Sequence, residues 1–316
     1  MSITTNSNLP PPVQQWFDDV LLARKEPLLI HNKMAMKKRI PSRSGTEVRY
    51  RRYNTLQTAT VPLGPSGITP PPQVLSALDI DAKIEWHGTY VVITDQVVLQ
   101  HQDPVLNQTA SLLGQSMLET EDELTRNALE STASFINCVS GANGDMPTEL
   151  TRADIDQVVF ALINNSARMI SDNIEGEDRF GTTPIREAFW VMANAGILPS
   201  LENVLGFVNT SQYPAKMNIL HAEWGSVGNS RWLYSPLGSV SENASALDSN
   251  IFNCLVTAKD AYAVVEQDGQ SAEFIYQGLG AGNDPLLQRQ TAGYKFAQIP
   301  RLLNDSWLIN LRATAA

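Results

Sequence analysis

Cysteine is nearly missing from this chain. Among 316 residues only Cys138 and Cys254 carry a thiol, and no C-x-x-C pair occurs. That excludes a disulfide framework and a cysteine-built metal site. Their neighbours, Phe135-Ile136 and Leu255-Val256, are apolar, so both thiols are expected to be buried small hydrophobes in a reducing compartment. Charge is scarce too, at 18% of residues. A low-charge surface is one that partners cover in part. No run reaches the ~18 apolar residues of a membrane span, and Met1-Ser2-Ile3-Thr4 lacks the basic and apolar regions of a signal peptide. A soluble intracellular protein without an export tag, and without a membrane partner, is expected.

Catalytic signatures are also lacking. The histidines are His31, His87, His101 and His221, and no two stand at helical metal-binding spacing. No H-E-x-x-H, nucleophile elbow or Walker loop is present. Gly278-Leu279-Gly280-Ala281-Gly282 invites a dinucleotide reading, but Asn283 stands where the third glycine is needed and Pro285 follows. The cluster Glu119, Glu121, Asp122 and Glu123 has no partner set and reads as a solvated or partner-facing helix surface. No catalytic, cofactor-binding or metal site, and no cofactor, is therefore expected.

What the chain does have is 43% apolar residues, enough for a real core in two domains or in one with extensions. Its charge is lopsided. Residues 1–52 hold 10 Lys/Arg against 4 Asp/Glu, net +6, while the remainder holds 13 against 29, net −16. A basic head on an acidic body suits head-to-body association between copies. The overall net charge of −10 argues against a generic DNA-binding protein.

Ten of the 18 prolines fall at or before residue 72, so the head should be stiff and extended. Within it Val13, Trp16, Phe17, Val20 and Leu21 form a stripe at helical spacing, which Pro27 stops. So short a helix is marginal alone and needs something to bury its Trp-Phe stripe against. Residues 46–53 read as a strand. Residues 78–87 alternate regularly, with Leu78, Ile80, Ala82, Ile84 and Trp86 on one face and Asp79, Asp81, Lys83, Glu85 and His87 on the other. Arg49 and Arg51 are natural cross-strand partners for Asp79, Asp81 or Glu85. The intervening Pro-, Gly- and Thr-rich stretch, 56–74, makes a projecting hairpin.

A long helix follows. Asp103-Pro104 is a start signal, and Leu106, Ala110, Leu113, Met117, Leu124, Ala128 and Phe135 recur at helical spacing to about residue 139. An alternative is two shorter helices broken near Gly114. The remainder is mixed: a helix over 154–167, an apolar strand at 187–192, a short helix at 198–205, and strands at 231–234, 254–257 and 261–266. The tail, 294–313, reads as two strands joined near Asn304-Asp305.

This order of parts resembles the major capsid proteins of tailed bacteriophages with the Hong Kong 97 fold, and several segments look closer still to the coliphage N-four type. The residues carrying the resemblance are Pro11-Pro12-Val13-Gln14-Gln15-Trp16-Phe17-Asp18, Gly45-Thr46-Glu47-Val48-Arg49-Tyr50-Arg51-Arg52-Tyr53, Gly88-Thr89-Tyr90-Val91-Val92, Lys259-Asp260-Ala261-Tyr262 and Asp284-Pro285-Leu286. The resemblance implies an α+β Hong Kong 97-type fold. Its parts would be an N-terminal arm (1–40), an extended β-hairpin loop (41–88), and a peripheral domain (89–149, with a spine helix at 104–139). An α/β axial domain (150–284) and return strands of the peripheral domain (285–316) would complete it.

It further implies a structural protein that assembles with itself, as hexamers and pentamers, into an icosahedral shell around double-stranded DNA bound without sequence specificity. A separate scaffolding protein, a portal and a decoration protein would be its partners, and the virion its location. Trp16, Phe17, Arg49, Arg51, Arg52, Asp79, Asp81 and Glu85 are the candidate contacts between subunits. Two other readings are an encapsulin-like compartment and an α/β enzyme with an N-terminal extension.

Overall fold

A computed structural model describes residues 27–32, 34–41, 43–60, 71–100, 105–170, 187–213, 219–241, 250–267, 273–278 and 286–315. In order come β1 (Met36–Ile40), β2 (Glu47–Tyr53), β3 (Ala77–Lys83), β4 (Glu85–Thr94), α1 (Asp95–Gln100), α2 (Val105–Thr132) and β5 (Ser134–Asn137). They are followed by α3 (Arg152–Asn164), β6 (Phe189–Asn194), α4 (Leu198–Glu202), β7 (Phe207–Asn209), β8 (Glu223–Val227), β9 (Ser230–Ser235) and β10 (Val240–Ser241). The last strands are β11 (Ile251–Thr257), β12 (Tyr262–Gln267), β13 (Glu273–Gln277), β14 (Arg289–Leu302) and β15 (Leu308–Thr314).

The continuous apolar runs form the middle of an eight-stranded sheet, ordered β5-β15-β11-β6-β9-β8-β7, with β10 beside β11. Strands buried on both faces read as unbroken hydrophobic runs rather than alternating ones. β11, Ile-Phe-Asn-Cys-Leu-Val-Thr, is buried at every position. One face packs on α3, where Ile155, Val158 and Leu162 meet Phe189, Val191, Cys254, Val256 and Leu311. The other presents Trp190, Met192, Leu233 and Leu255 to Ile30, Leu129, Tyr262 and Leu302. α3 starts at Thr151, whose N–H donates to Asp154 Oδ2 at 3.1 Å. Asp154 Oδ1 also accepts from the N–H groups of Val139 and Gly141, at 3.0 and 2.7 Å, so one buried carboxylate ties the preceding turn to the helix.

The second sheet has five strands, ordered β1-β12-β14-β13, with β4 on the other side of β14. α2 lies on one face, where Leu113, Met117 and Leu124 pack on Ala292, Tyr294 and Phe296. β2 and β3 form a separate two-stranded hairpin. Its root, Val48, Tyr50, Ala82 and Ile84, packs on Val265, Ala297 and Ile299, on the sheet face opposite α2.

Several sequence expectations are corrected. The long helix ends at Thr132 rather than 139, because the backbone turns extended after Ala133 and β5 pairs in parallel with β15. Phe135 leaves the helical stripe and lies beneath the Arg312 guanidinium, 4.1 Å from its ring centre. Gly114 does not break the helix. The expected start at Asp103-Pro104 falls outside the described residues.

The alternation of 78–87 is interrupted at Ile84, whose N–H bonds Thr46. Beyond it Trp86 is exposed, in a strand that belongs to a different sheet. The tail strands also part company, since β14 lies in the five-stranded sheet and β15 in the eight-stranded one. β12 and β13, expected with the 150–284 body, pair instead with β14. Sheet membership thus departs from the boundaries expected at 150 and 284. The end of the expected arm lies on the body: Ile30 is buried and β1 pairs in parallel with β12.

Candidate intersubunit surfaces

The hairpin carries two charge pairs side by side. In its register Arg49 faces Asp81 and Arg51 faces Asp79, so side chains of opposite sign share one face of the strand pair. Arg49 bonds both carboxylate oxygens of Asp81, at 2.7 and 3.2 Å. Arg51 bonds those of Asp79, at 2.7 and 2.9 Å. These hydrogen bonds hold both aspartates below the usual carboxylate range and raise both arginines.

Arg52 lies opposite Leu78 on the other face. Glu85 stands in β4 opposite Gln298, away from the arginines. Beyond the root the hairpin is exposed and apolar: Tyr53, Leu56, Leu75 and Leu78 are open, and Val74 is 86% exposed. Nothing in its own subunit covers these side chains among the described residues. The helix proposed around Trp16 and Phe17 lies outside the described residues.

A second open surface was not anticipated. On the five-stranded sheet, Tyr90, Gly293 and Ile275 stand abreast, as do Gly88, Lys295 and Glu273 one rung along. The glycines let the strands approach closely, since a Cβ on Gly88 would sit 2.5 Å from the Tyr294 carbonyl oxygen and one on Gly293 would sit 2.7 Å from Tyr90 Cβ. Between them opens a depression of about 370 Å³. Trp86, Val92 and the 70%-exposed Tyr90 flank it. Lys295 pairs with Glu273 at 2.9 Å and sits 6.0 Å from the Trp86 ring centre. The same face, farther along, is covered by the hairpin root. Isolated glycines inside two strands were the sequence signal for this surface.

The acidic cluster on α2 is solvated only in part: Glu123 is exposed and pairs with Arg126 at 2.9 Å, while its neighbours turn inward. Asp122 is buried, its Oδ2 2.8 Å from His31 Nδ1, and its Oδ1 accepts from the Asn32 N–H at 2.9 Å. Tyr262 donates its hydroxyl to the His31 carbonyl oxygen at 2.7 Å. Half-buried Glu121 accepts from Asn32 Nδ2 at 3.2 Å. Burial first, and then the neighbouring Glu266, push its carboxyl up to about 7.

Other buried polar groups serve the framework. Arg231 and Glu223 pair with neither side chain exposed, and Tyr213 and the Leu220 N–H also donate to Glu223. Burial raises the thiols of Cys138 and Cys254, the latter to about 12, so both stay protonated. Among the described residues no His, Cys, Asp and Glu cluster could hold a metal, and no helix is long and apolar enough to cross a membrane.

These elements, in this order, form the capsid fold of tailed bacteriophages, the Hong Kong 97-type α+β fold expected from the sequence. Three solved structures share it from end to end. The capsid of Ralstonia phage GP4 aligns at a TM-score of 0.68 and 12% identity, covering 100% of this chain and 99% of that one. The acidic stable capsid of Helicobacter pylori bacteriophage KHP30 gives 0.67 at 9% identity, covering 99% and 98%. The capsid of cyanophage P-SCSP1u gives 0.66 at 13%, covering 100% and 96%. At the level of sequence, no family profile and no curated protein matches.

Proposed function

We propose that this chain is the major structural subunit of a tailed-phage capsid, assembling with itself as hexamers and pentamers into an icosahedral shell around double-stranded DNA. The observation that carries this reading is a matched pair of surfaces left uncovered among the described residues of a capsid fold: a projecting hairpin with an apolar outer half, and an open aromatic sheet face. The hairpin root already covers one half of that face. A neighbour's hairpin laid over the other half would bury Tyr90, Val92 and Ile275 against Leu56, Val74 and Leu75. Each such contact is modest, but a closed lattice repeats it many times.

In this reading residues 1–40 act as the arm and 41–88 as the extended loop. The five-stranded sheet with α2 forms the peripheral part, and the eight-stranded sheet with α3 the axial part. Trp16 and Phe17 anchor the arm on an adjacent subunit. Arg49, Arg51, Arg52, Asp79 and Asp81 form the polar rim of the hairpin contact, and Glu85 stands apart from it in β4. A scaffolding protein, a portal and a decoration protein complete the assembly, and the mature location is the virion.

The test is electron microscopy of the expressed protein beside a variant in which a two-residue Asn-Gly turn replaces residues 55–75. The full chain should give closed shells or curved sheets. The truncated one should give folded subunits that do not assemble. A full chain that stays monomeric at every concentration, or a truncated one that still closes shells, overturns the proposal.

A further inference from the structure

The segment 27–40 is fastened to the body at several points: Ser235 Oγ donates to the Leu28 carbonyl oxygen, Ile30 is buried in the core, and Tyr262 donates to the His31 carbonyl oxygen. β1 adds in parallel to β12. The turn before it, His31-Asn32, sits on α2 over Glu121 and Asp122. We propose that this seat is a proton-operated latch, closed while Glu121 is protonated and loosened when Glu121 gives up its proton.

The two carboxyls of the seat are placed differently. Asp122 is fully engaged, with one oxygen at the His31 ring and the other on the Asn32 N–H. Glu121 has a single 3.2 Å bond, from Asn32 Nδ2, and no ion pair reaches it among the described residues. Beside it, Asn32 Oδ1 is buried and receives no donor. A buried acceptor without a donor is costly. A protonated Glu121 keeps an oxygen to accept from Asn32 Nδ2 and carries no charge to be compensated, whereas its anion would lie half-buried on that single bond.

Every packed element contributes to the balance. α2 itself brings Asp122, and β12 brings Glu266, only 9% exposed. β1 brings Lys37 and Arg39, and Arg39 lies 3.6 Å from Glu266. The turn brings His31, and β14 brings the uncharged Gln298, whose Nε2 donates to the Glu121 carbonyl oxygen at 3.4 Å. Burial, Glu266 and Asp122 favour the neutral acid, while Lys37 and Asn32 favour the anion. The first group prevails, and the proton is held to about pH 7 instead of 4.5.

A carboxyl whose folded value stands above its unfolded one contributes fully below the unfolded value. The contribution is lost as pH rises through the folded value. The seat is therefore firm in mild acid and loosest above neutrality.

Hydrogen exchange on the unassembled full-length chain tests the latch, so its outcome is independent of whether shells form. The readout is protection of the peptide 27–40, corrected for intrinsic rates, at about pH 6 and about pH 8.5. With the carboxyl at about 7 when seated and 4.5 when released, opening should rise about tenfold between those conditions. Glu121→Gln should abolish the rise. Glu266→Gln should move its midpoint to lower pH. A flat wild-type profile overturns the proposal, as does a slope that survives in Glu121→Gln and so belongs to another group such as His31. An equal loss of protection in 251–257, which would mark global opening, also overturns it. Should Glu121→Gln fail to fold, an unmoved midpoint in Glu266→Gln decides against the latch.

Discussion

The cross-strand pairs of the hairpin sit in full solvent, where ion pairs contribute little to a subunit's own stability. Their value lies in fixing register and presenting a defined edge to whatever lies against it. On the proposed function, reversing Arg51 to Asp should leave the isolated subunit's melting temperature nearly unchanged and lower that of the assembled shell. Adding Asp79→Arg should recover much of the loss. Adding Asp81→Arg instead should not, because Asp81 belongs to Arg49. Calorimetry of assembled particles separates these outcomes. That these charges share a face was legible in the sequence, because a two-residue alternation assigns faces without tertiary information, but which of Asp79, Asp81 and Glu85 meets which arginine was set only by the register. His31 and Asp122 were illegible for the opposite reason: they lie 91 positions apart, and nothing local to either names the other. The acidic run on α2 looked solvated because helical spacing says which residues share a face but not what covers that face.

At the scale of elements, α2 and β14 form the joint on which the five-stranded sheet depends. Phe296 is buried at their contact, beside Tyr294 at a ring-centre separation of 6.1 Å. Phe296→Ala should cost about 3–5 kcal/mol in denaturant unfolding, the usual range for emptying a large aromatic from a packed core. A loss under about 1 kcal/mol would mean the helix is held elsewhere. Long elements with a clear period were readable, namely α2 and α3, while β11 was read only in its second half, 254–257, from an apolar run without a period. β5 was not, because Ser-Phe-Ile-Asn continues the helical stripe and becomes a strand only through its parallel partner β15. Short β13 lacked any alternation that could be scored, since Glu-Phe-Ile-Tyr-Gln reads equally as a loop or an edge.

For the whole molecule, the α+β fold class was recoverable from the sequence while the grouping of strands into sheets was not. Linear boundaries at 150 and 284 assume that neighbours in sequence are neighbours in space. β14 and β15 break that assumption with only five residues between them, each completing a different sheet. A chain stopped after Asn304 should therefore lose the eight-stranded sheet rather than merely fray. The check is near-ultraviolet circular dichroism, where a retained native tryptophan signal would contradict it. β15 follows every other strand of its sheet and yet lies between β5 and β11. While the chain is still emerging from the ribosome, that slot stays empty and the most apolar strand keeps an open edge. Products of interrupted translation would lack the strand between β5 and β11 and would offer that open edge to chaperones and proteases.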